Sequence, residues 1–170
     1  MIVDTGQIAL ALSLVVAGYV SLGSFLGAWQ RIPALSLSGR YAFYTIPVLL
    51  LTSSLALVYA FVTNDFSVRY VAENSNLAMP QVYTWVALYA ANAGSLLFIA
   101  LVFSLLAVLA VLSMRRRLPY TTPYATGIMA LVITFFLAIM VFLADPLERL
   151  PITPGDGQGI NPLLLHFGMF

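Results

Sequence analysis

Few side chains in this sequence have types and spacings that could do chemistry, and they gather in three places. Between the second and third apolar runs lies NDFSVRYVAENSNLAMP, with Arg69, Tyr70, Glu73, Asn74 and Asn76 within eight residues. Just beyond it, Trp85, Tyr89 and Asn92 fall at i, i+4 and i+7, one face if the segment is helical. Near the end stands the single histidine, His166. Trp85, Tyr89 and Asn92 could form one wall of a site for a flat apolar ligand. Trp85 and Tyr89 serve equally well as an aromatic belt at headgroup level. His166 could ligate an iron or shuttle a proton, or be an interfacial side chain doing neither. Asp145 and Glu148 are the only close carboxylates, and with Arg149 they read as a solvated helix end. No nucleophile with a base can be assembled, so the catalytic residues stay unassigned.

These residues have to be positioned by a membrane protein. The chain has 170 residues, 62% hydrophobic and 8% charged, with a mean hydropathy of +1.00. Apolar runs at roughly 6–29, 41–63, 82–113 and 124–144 are each long enough to cross a ~30 Å hydrocarbon layer, and none contains Asp, Glu, Lys or Arg. Backbone facing lipid must satisfy its own amides, so each run is expected as a helix. The expected fold class is all-α: a polytopic bundle of four transmembrane helices plus the start of a fifth apolar element, in a single domain over residues 1–170. The first run is expected to be a retained helix and not a cleaved signal, because it begins MIVDTGQ without a basic start and runs on past twenty residues.

Charge is sorted along the chain. Arg31, Arg40 and Arg115 to Arg117 occupy the turns on one side, while Arg69, Arg149 and all six carboxylates occupy the other. The positive-inside rule then puts both chain ends and the polar segments 64–80 and 145–162 outside. With no cysteine, disulfides and thiolate metal sites are excluded, and no metal site is expected. The expected compartment is a bacterial inner (plasma) membrane.

Gly23 and Gly27 stand at GxxxG spacing, a face that lets another helix approach closely. RIPALSLSGR reads as a short linker, with Pro47 near the start of the second helix. The third element, from Pro80 to Met114, is overlong at ~52 Å and must tilt, break or project outward. As a strand, NDFSVRYVAENSN puts Phe66, Val68 and Tyr70 on one face. As a helix it stacks Phe66 on Tyr70 and pairs Arg69 with Glu73, which suits a segment lying on the membrane surface with its aromatics among headgroups. GDGQG is no phosphate loop, since no strand precedes it. Asn161 and Pro162 start a new apolar run that ends at Phe170, as expected of a truncated or split polypeptide.

Three motifs carry a resemblance: D-F-S-V-x-Y-V-A-x-x-S-N-x-x-x-P at Asp65 to Pro80, G-S-L-L at Gly94 to Leu97, and D-G-x-G-x-N-P-L-L at Asp156 to Leu164. In this order they resemble the amino-terminal part of the cytochrome c maturation haem lyase family, CcmF-like and NrfE-like proteins of the haem handling superfamily. The resemblance implies a role in taking haem from a periplasmic haem chaperone and assisting its attachment to apocytochrome c. The implied cofactor is haem, both a resident b-type haem and the transferred one. The implied partners are the remaining lyase helices or another lyase polypeptide, the chaperone, the apocytochrome and membrane lipids, with no nucleic acid. Its candidate haem-facing residues are Arg69, Tyr70, Asn74, Asn76, Trp85 and Tyr89.

The sequence departs from the family in three ways. The tryptophan-rich WWD segment is missing. Where the family reads W-G-x-H-E-G-S, this chain has Tyr89, Ala90, Ala91, Asn92, Ala93, Gly94 and Ser95, without the ionisable pair. The family's HPP histidine would fall beyond Phe170, so its ligand role does not pass to His166. Whether this chain is itself an enzyme is left open. The alternative is a non-catalytic membrane scaffold or assembly subunit that holds a partner through the Gly23/Gly27 face and the outer loops. A small transporter fits poorly, because the spans offer no ionisable residue to couple ions.

Overall fold

The computed structural model describes residues 1–79, 86–88 and 91–159. It is helical: α1 (Ile2–Trp29), α2 (Pro33–Val62), the short α3 (Arg69–Asn74), α4 (Asn92–Met114) and α5 (Thr122–Phe142). Among the described residues, β pairing is limited to one isolated antiparallel bridge, Val68 with Arg149. The four long helices are each apolar and long enough to cross a membrane. The chain is a multi-pass membrane protein.

The centre of the bundle is α1, which packs along α2 and against α5, while α4 closes the other side on α5 and α2. Lipid is as apolar as leucine, so helices in a membrane associate through close packing. Here small residues supply it. A Cβ added at Gly6 would collide with the Cβ of Ala56, one at Gly39 would come 2.8 Å from Ser24 Oγ, and one at Gly27 would come 2.7 Å from the Ser36 backbone nitrogen. Between these contacts Leu10, Ser13, Ala17 and Val20 of α1 are buried along with Phe43, Ile46, Leu50, Ser53 and Leu57 of α2. Gly127 of α5 admits the Phe25 ring at 3.0 Å from a would-be Cβ. Leu12, Val15, Phe98, Leu105, Leu109 and Phe135 point outward, as a lipid-facing surface requires. Several hydroxyls within the spans donate back to their own helices, Ser13 to Leu10, Ser54 to Leu50, Ser104 to Leu101 and Thr134 to Ala130.

Two boundaries differ from the sequence reading. RIPALSLSGR is not a linker, because α2 begins at Pro33 with proline in its first turn and Arg40 lies inside the helix. The turn is only Gln30 to Ile32, closed by the Ile32 amide donating to the Gly27 carbonyl at 2.9 Å with Arg31 left-handed at φ 55°. Pro47 is therefore buried in the middle of α2 and not near its start. The third element is not one helix over 80–114 either. Residues 86–88 are helical, Ala91 is extended at φ −100° and ψ 162°, and α4 starts at Asn92. Of the three outcomes open to an overlong helix, the chain breaks.

The Gly23/Gly27 face is taken by Leu35 and Ser36 of α2. It is ordinary packing within this chain, and the scaffold reading loses that docking surface.

A glycine at 27 is thus a packing requirement, whereas Gly18 has no atom within 4 Å of a would-be Cβ. Gly27→Ala is expected to cost about 1–3 kcal/mol through overpacking. Gly18→Ala should be neutral or stabilise by up to about 1 kcal/mol through helix propensity. Melting of both variants in one detergent checks the contrast, and equal midpoints would contradict the tight α1–α2 crossing.

Candidate functional site

At the carboxylate-bearing end of the bundle the chain leaves its helices and builds a small platform that includes residues 64–79, 86–88, 91–94 and 144–159. The exit from α2 is a Schellman turn: Asn64 takes the left-handed conformation at φ 50°, and the amides of Asp65 and Asn64 donate to the carbonyls of Ala60 and Phe61. Aspartates then fold the loops. Asp65 Oδ1 accepts from the Ser67 hydroxyl at 2.6 Å and its amide at 3.2 Å. Asp145 Oδ1 accepts from the Leu147 amide at 2.9 Å, and its Oδ2 from Gln7 Nε2 at 2.9 Å. Asp156 Oδ1 accepts from the amides of Leu77 and Gly157 at 2.9 and 2.8 Å.

The two long loops meet across the Val68–Arg149 bridge, where the Arg69 amide donates to the Glu148 carbonyl and the Leu150 amide to the Ser67 carbonyl. Immediately after it comes α3, whose last carbonyls would be orphaned in isolation. Backbone amides of the later loop reach two carbonyls at that end: Gln158 donates to Ala72 at 2.7 Å and Gly159 to Ser75 at 3.1 Å. Gly157 makes this approach possible, since a Cβ there would collide with the Ser75 carbonyl and lie 2.9 Å from that of Ala72. The DGQG stretch is a backbone cap for a helix some eighty residues earlier.

Both sequence alternatives for 64–76 are partly realised, as a one-residue bridge followed by a one-and-a-half-turn helix. The membrane-surface placement of its aromatics is not. Phe66 and Tyr70 are each only 6% exposed and join the core, with Tyr70 edge-on to Phe61 at 5.6 Å between ring centres. The Tyr70 hydroxyl lies 3.1 Å from the Leu88 carbonyl and 3.2 Å from that of Ala91, across the break before α4. Gly94 belongs to the same contact, because a Cβ there would strike the Leu88 carbonyl and come 2.5 Å from the Tyr70 hydroxyl. Burial raises the phenol pKa above its ordinary 10.0, with backbone hydrogen bonds near Ala91 and Gly94 opposing.

The candidate residues divide accordingly. Arg69 is exposed and held by two carboxylates, Glu73 at 2.8 Å and Glu148 at 3.2 Å; these pairs raise its pKa, Glu73 foremost. Asn74 donates to the Tyr70 carbonyl at 2.8 Å, closing its own helix. Asn76 keeps a buried Oδ1 without a hydrogen-bond partner, beside Gly159. Trp85, Tyr89 and His166 lie outside the described residues. Arg149 does not join Asp145 and Glu148 in a helix end; it pairs with Asp4 at 2.8 Å and ties the platform to α1. Below the platform a cleft of about 480 Å³ opens between α2 and α4, lined by Leu51, Leu55, Val58, Leu88, Leu97 and Phe98 among others.

Sequence reasoning missed Gly94, Gly157 and Asp156 as structural centres. Their motifs were visible, yet not the contacts between them. The three motif segments converge on α3: the first contains it, Gly94 of the second abuts Tyr70, and Asp156 to Gly159 of the third cap its end.

Known proteins resemble this chain in sequence and in fold. The chain is 36% identical over 177 residues to the cytochrome c-type biogenesis protein CcmF of Pseudomonas aeruginosa, which covers 99% of the chain and 26% of that protein. The CcmF of Pseudomonas fluorescens is 35% identical over 98% of the chain and 25% of the relative. A solved structure of the cytochrome c haem lyase CcmF superposes with a TM-score of 0.80 at 26% identity, over 87% of this chain and 25% of that one. The chain is CcmF-like. It spans about a quarter of the length of the curated relatives it matches. NrfE of Haemophilus influenzae, also a cytochrome c-type biogenesis protein, is 26% identical over 99% of the CcmF-like chain. No family model matches it.

Gly157→Ala should detach the 154–159 loop of this CcmF-like chain from α3 and speed amide exchange at Gln158 and Gly159 by about ten-fold, equivalent to ~1.4 kcal/mol. Gly155→Ala, with nothing within 4 Å, should leave it unchanged. Tyr70 adds a pH dependence. Its proton is held more tightly in the folded state, so its contribution is whole below the ordinary pKa of 10.0 and is lost as pH rises through the higher folded value. Tyr70→Phe should therefore flatten the fall of melting temperature above pH ~10, while losing about 1 kcal/mol at neutral pH with the hydroxyl's hydrogen bond. A slope identical to the unsubstituted chain would refute the assignment.

Proposed function

We propose that this chain is a component of cytochrome c-type biogenesis, the part of a membrane haem lyase that forms its outer platform for haem and apocytochrome c. The observation that carries the proposal is the convergence of the three motif segments on α3, with Tyr70 against Gly94 and the Asp156 to Gly159 loop capping the helix. Relatives named for cytochrome c biogenesis share the fold, which supports the same reading. The platform lies on the periplasmic side of a bacterial inner membrane, with the arginine-rich turns inside.

Haem fits the described residues only in part. The apolar cleft suits the face of such a ring, but the described residues include no imidazole or thiolate to hold its iron. Arg69, already shared by two glutamates, is a weak receptor for a propionate. No step of haem transfer is therefore derived from these residues. In this reading the iron is gripped by other parts of the lyase, with Trp85 and Tyr89 as the remaining aromatic candidates. The chain shapes and orients the surface on which a periplasmic chaperone hands haem to the apocytochrome.

The test is maturation in cells. When the chain is co-produced with the remaining lyase helices, covalent haem staining of cytochrome c should fall about ten-fold or more with Gly157→Ala, the effect of ~1.4 kcal/mol, while the complex is still recovered. Loss of the complex itself would instead favour the scaffold reading. Normal maturation without the chain, with no Soret absorbance in membranes holding it, would end the proposal.

A further inference from the structure

The opposite end of the bundle holds a second site, which the platform does not use. An open cleft of about 820 Å³ lies between the α1–α2 turn and the start of α5, with Arg31, Arg40, Ser36, Tyr120, Thr122 and Tyr124 in its wall. That volume is within the ~300–1,000 Å³ usual for small-molecule sites. Its charge has one sign. Five of the seven arginines stand at this end, and all six Asp and Glu side chains stand at the other. The ion pairs of the described residues involve Arg69, Arg149 and the N-terminus, and Arg31 and Arg40 enter none of them.

Arg31 also occupies a costly position. It is the left-handed residue of the turn that ends α1, at φ 55°, where glycine is ordinarily favoured over any other side chain. Arg31 lines the cleft together with half-buried Arg40, which stands one turn into α2 from Ser36. Two arginines, the hydroxyls of Ser36, Tyr120 and Tyr124, and a lining that includes Ala28, Pro33 and Leu37 suit an anion joined to an apolar body. At the mouth of a helical bundle, between exposed Tyr120 and lipid-facing Leu37, the anion available at high local concentration is a lipid phosphate.

We propose that this cleft binds the phosphodiester headgroup of an anionic phospholipid of the surrounding leaflet. Arg31 and Arg40 hold the phosphate, and the glycerol backbone lies over the Pro33–Leu37 turn. The site anchors the α1–α2 corner at a fixed depth in the membrane.

The test uses the full 170-residue chain in detergent micelles doped with either phosphatidylglycerol or phosphatidylcholine, with bound lipid counted by native mass spectrometry. Phosphatidylglycerol should be retained roughly 10- to 30-fold more strongly, as two surface arginines imply. Arg31→Gln with Arg40→Gln should bring the two lipids to parity, whereas Arg115→Gln with Arg116→Gln, outside the cleft wall, should keep the preference. Arg31→Lys, which keeps the charge but not the two-pronged geometry, should give an intermediate value and guards against misfolding of the double variant. Inorganic phosphate at millimolar concentration should not displace the lipid. Equal retention of the two lipids, a preference that survives the double substitution in a helical chain, or displacement by inorganic phosphate would each overturn the proposal.

Discussion

Where α1 crosses α2, three glycines face side chains or backbone at distances that leave no space for another carbon. Gly6 lies on Ala56, Gly27 on Ser36, and Gly39 on Ser24. In water such a crossing would be one contribution among many, because burying any apolar surface is favourable. In lipid it is the main source of association, since leucine on a neighbouring helix gains little over leucine on an acyl chain. The remaining helices take their positions from this pair. Phe25 of α1 enters the notch at Gly127 of α5, and α4 fills the space left between α5 and α2.

The platform is governed by a different constraint. Once the chain leaves its helices, every backbone amide and carbonyl needs a new partner. The structure meets this need locally with aspartates that turn the chain and globally by pairing two loops widely separated in sequence. Asp65, Asp145 and Asp156 each accept from an amide one or two residues further on. The amides of Gln158 and Gly159 take carbonyls at the end of α3, a helix of six residues that would be marginal alone. Tyr70 then fastens this unit to the break before α4. Residues that seemed suited to a ligand, Tyr70 and Asn74, are in consequence occupied in holding the surface together. What remains available to a partner is the outward rim, with Arg69 and its two glutamates, and the apolar cleft beneath.

The two ends of the molecule thus differ in how their charges are used. At the platform, cations and carboxylates are paired, Arg69 with Glu73 and Glu148, Arg149 with Asp4. At the other end, arginines stand without a carboxylate on any neighbouring turn. Paired charges hold loops in register, while unpaired ones attract anions from outside the chain, and the separation follows from which residues flank each span.

The number of spans, their helical nature and the segregation of charge were legible in the sequence because each depends on local composition. A run of apolar residues in lipid has no alternative to the helix. The pairing of Arg69 with Glu73 was legible for the same reason, being a matter of four residues' spacing. The start of α2 at Pro33 and the break before Asn92 were not, since both depend on what a distant segment offers the backbone there. Nor could spacing say whether Phe66 and Tyr70 face headgroups or the core, because either choice satisfies the same amphipathic pattern. Only the tertiary structure decided that Gly27 packs on Ser36, that the DGQG stretch caps α3, and that Gly94 makes room for Tyr70. Such contacts require two pieces of chain to come within a few ångströms, and sequence spacing is silent on distance across the fold.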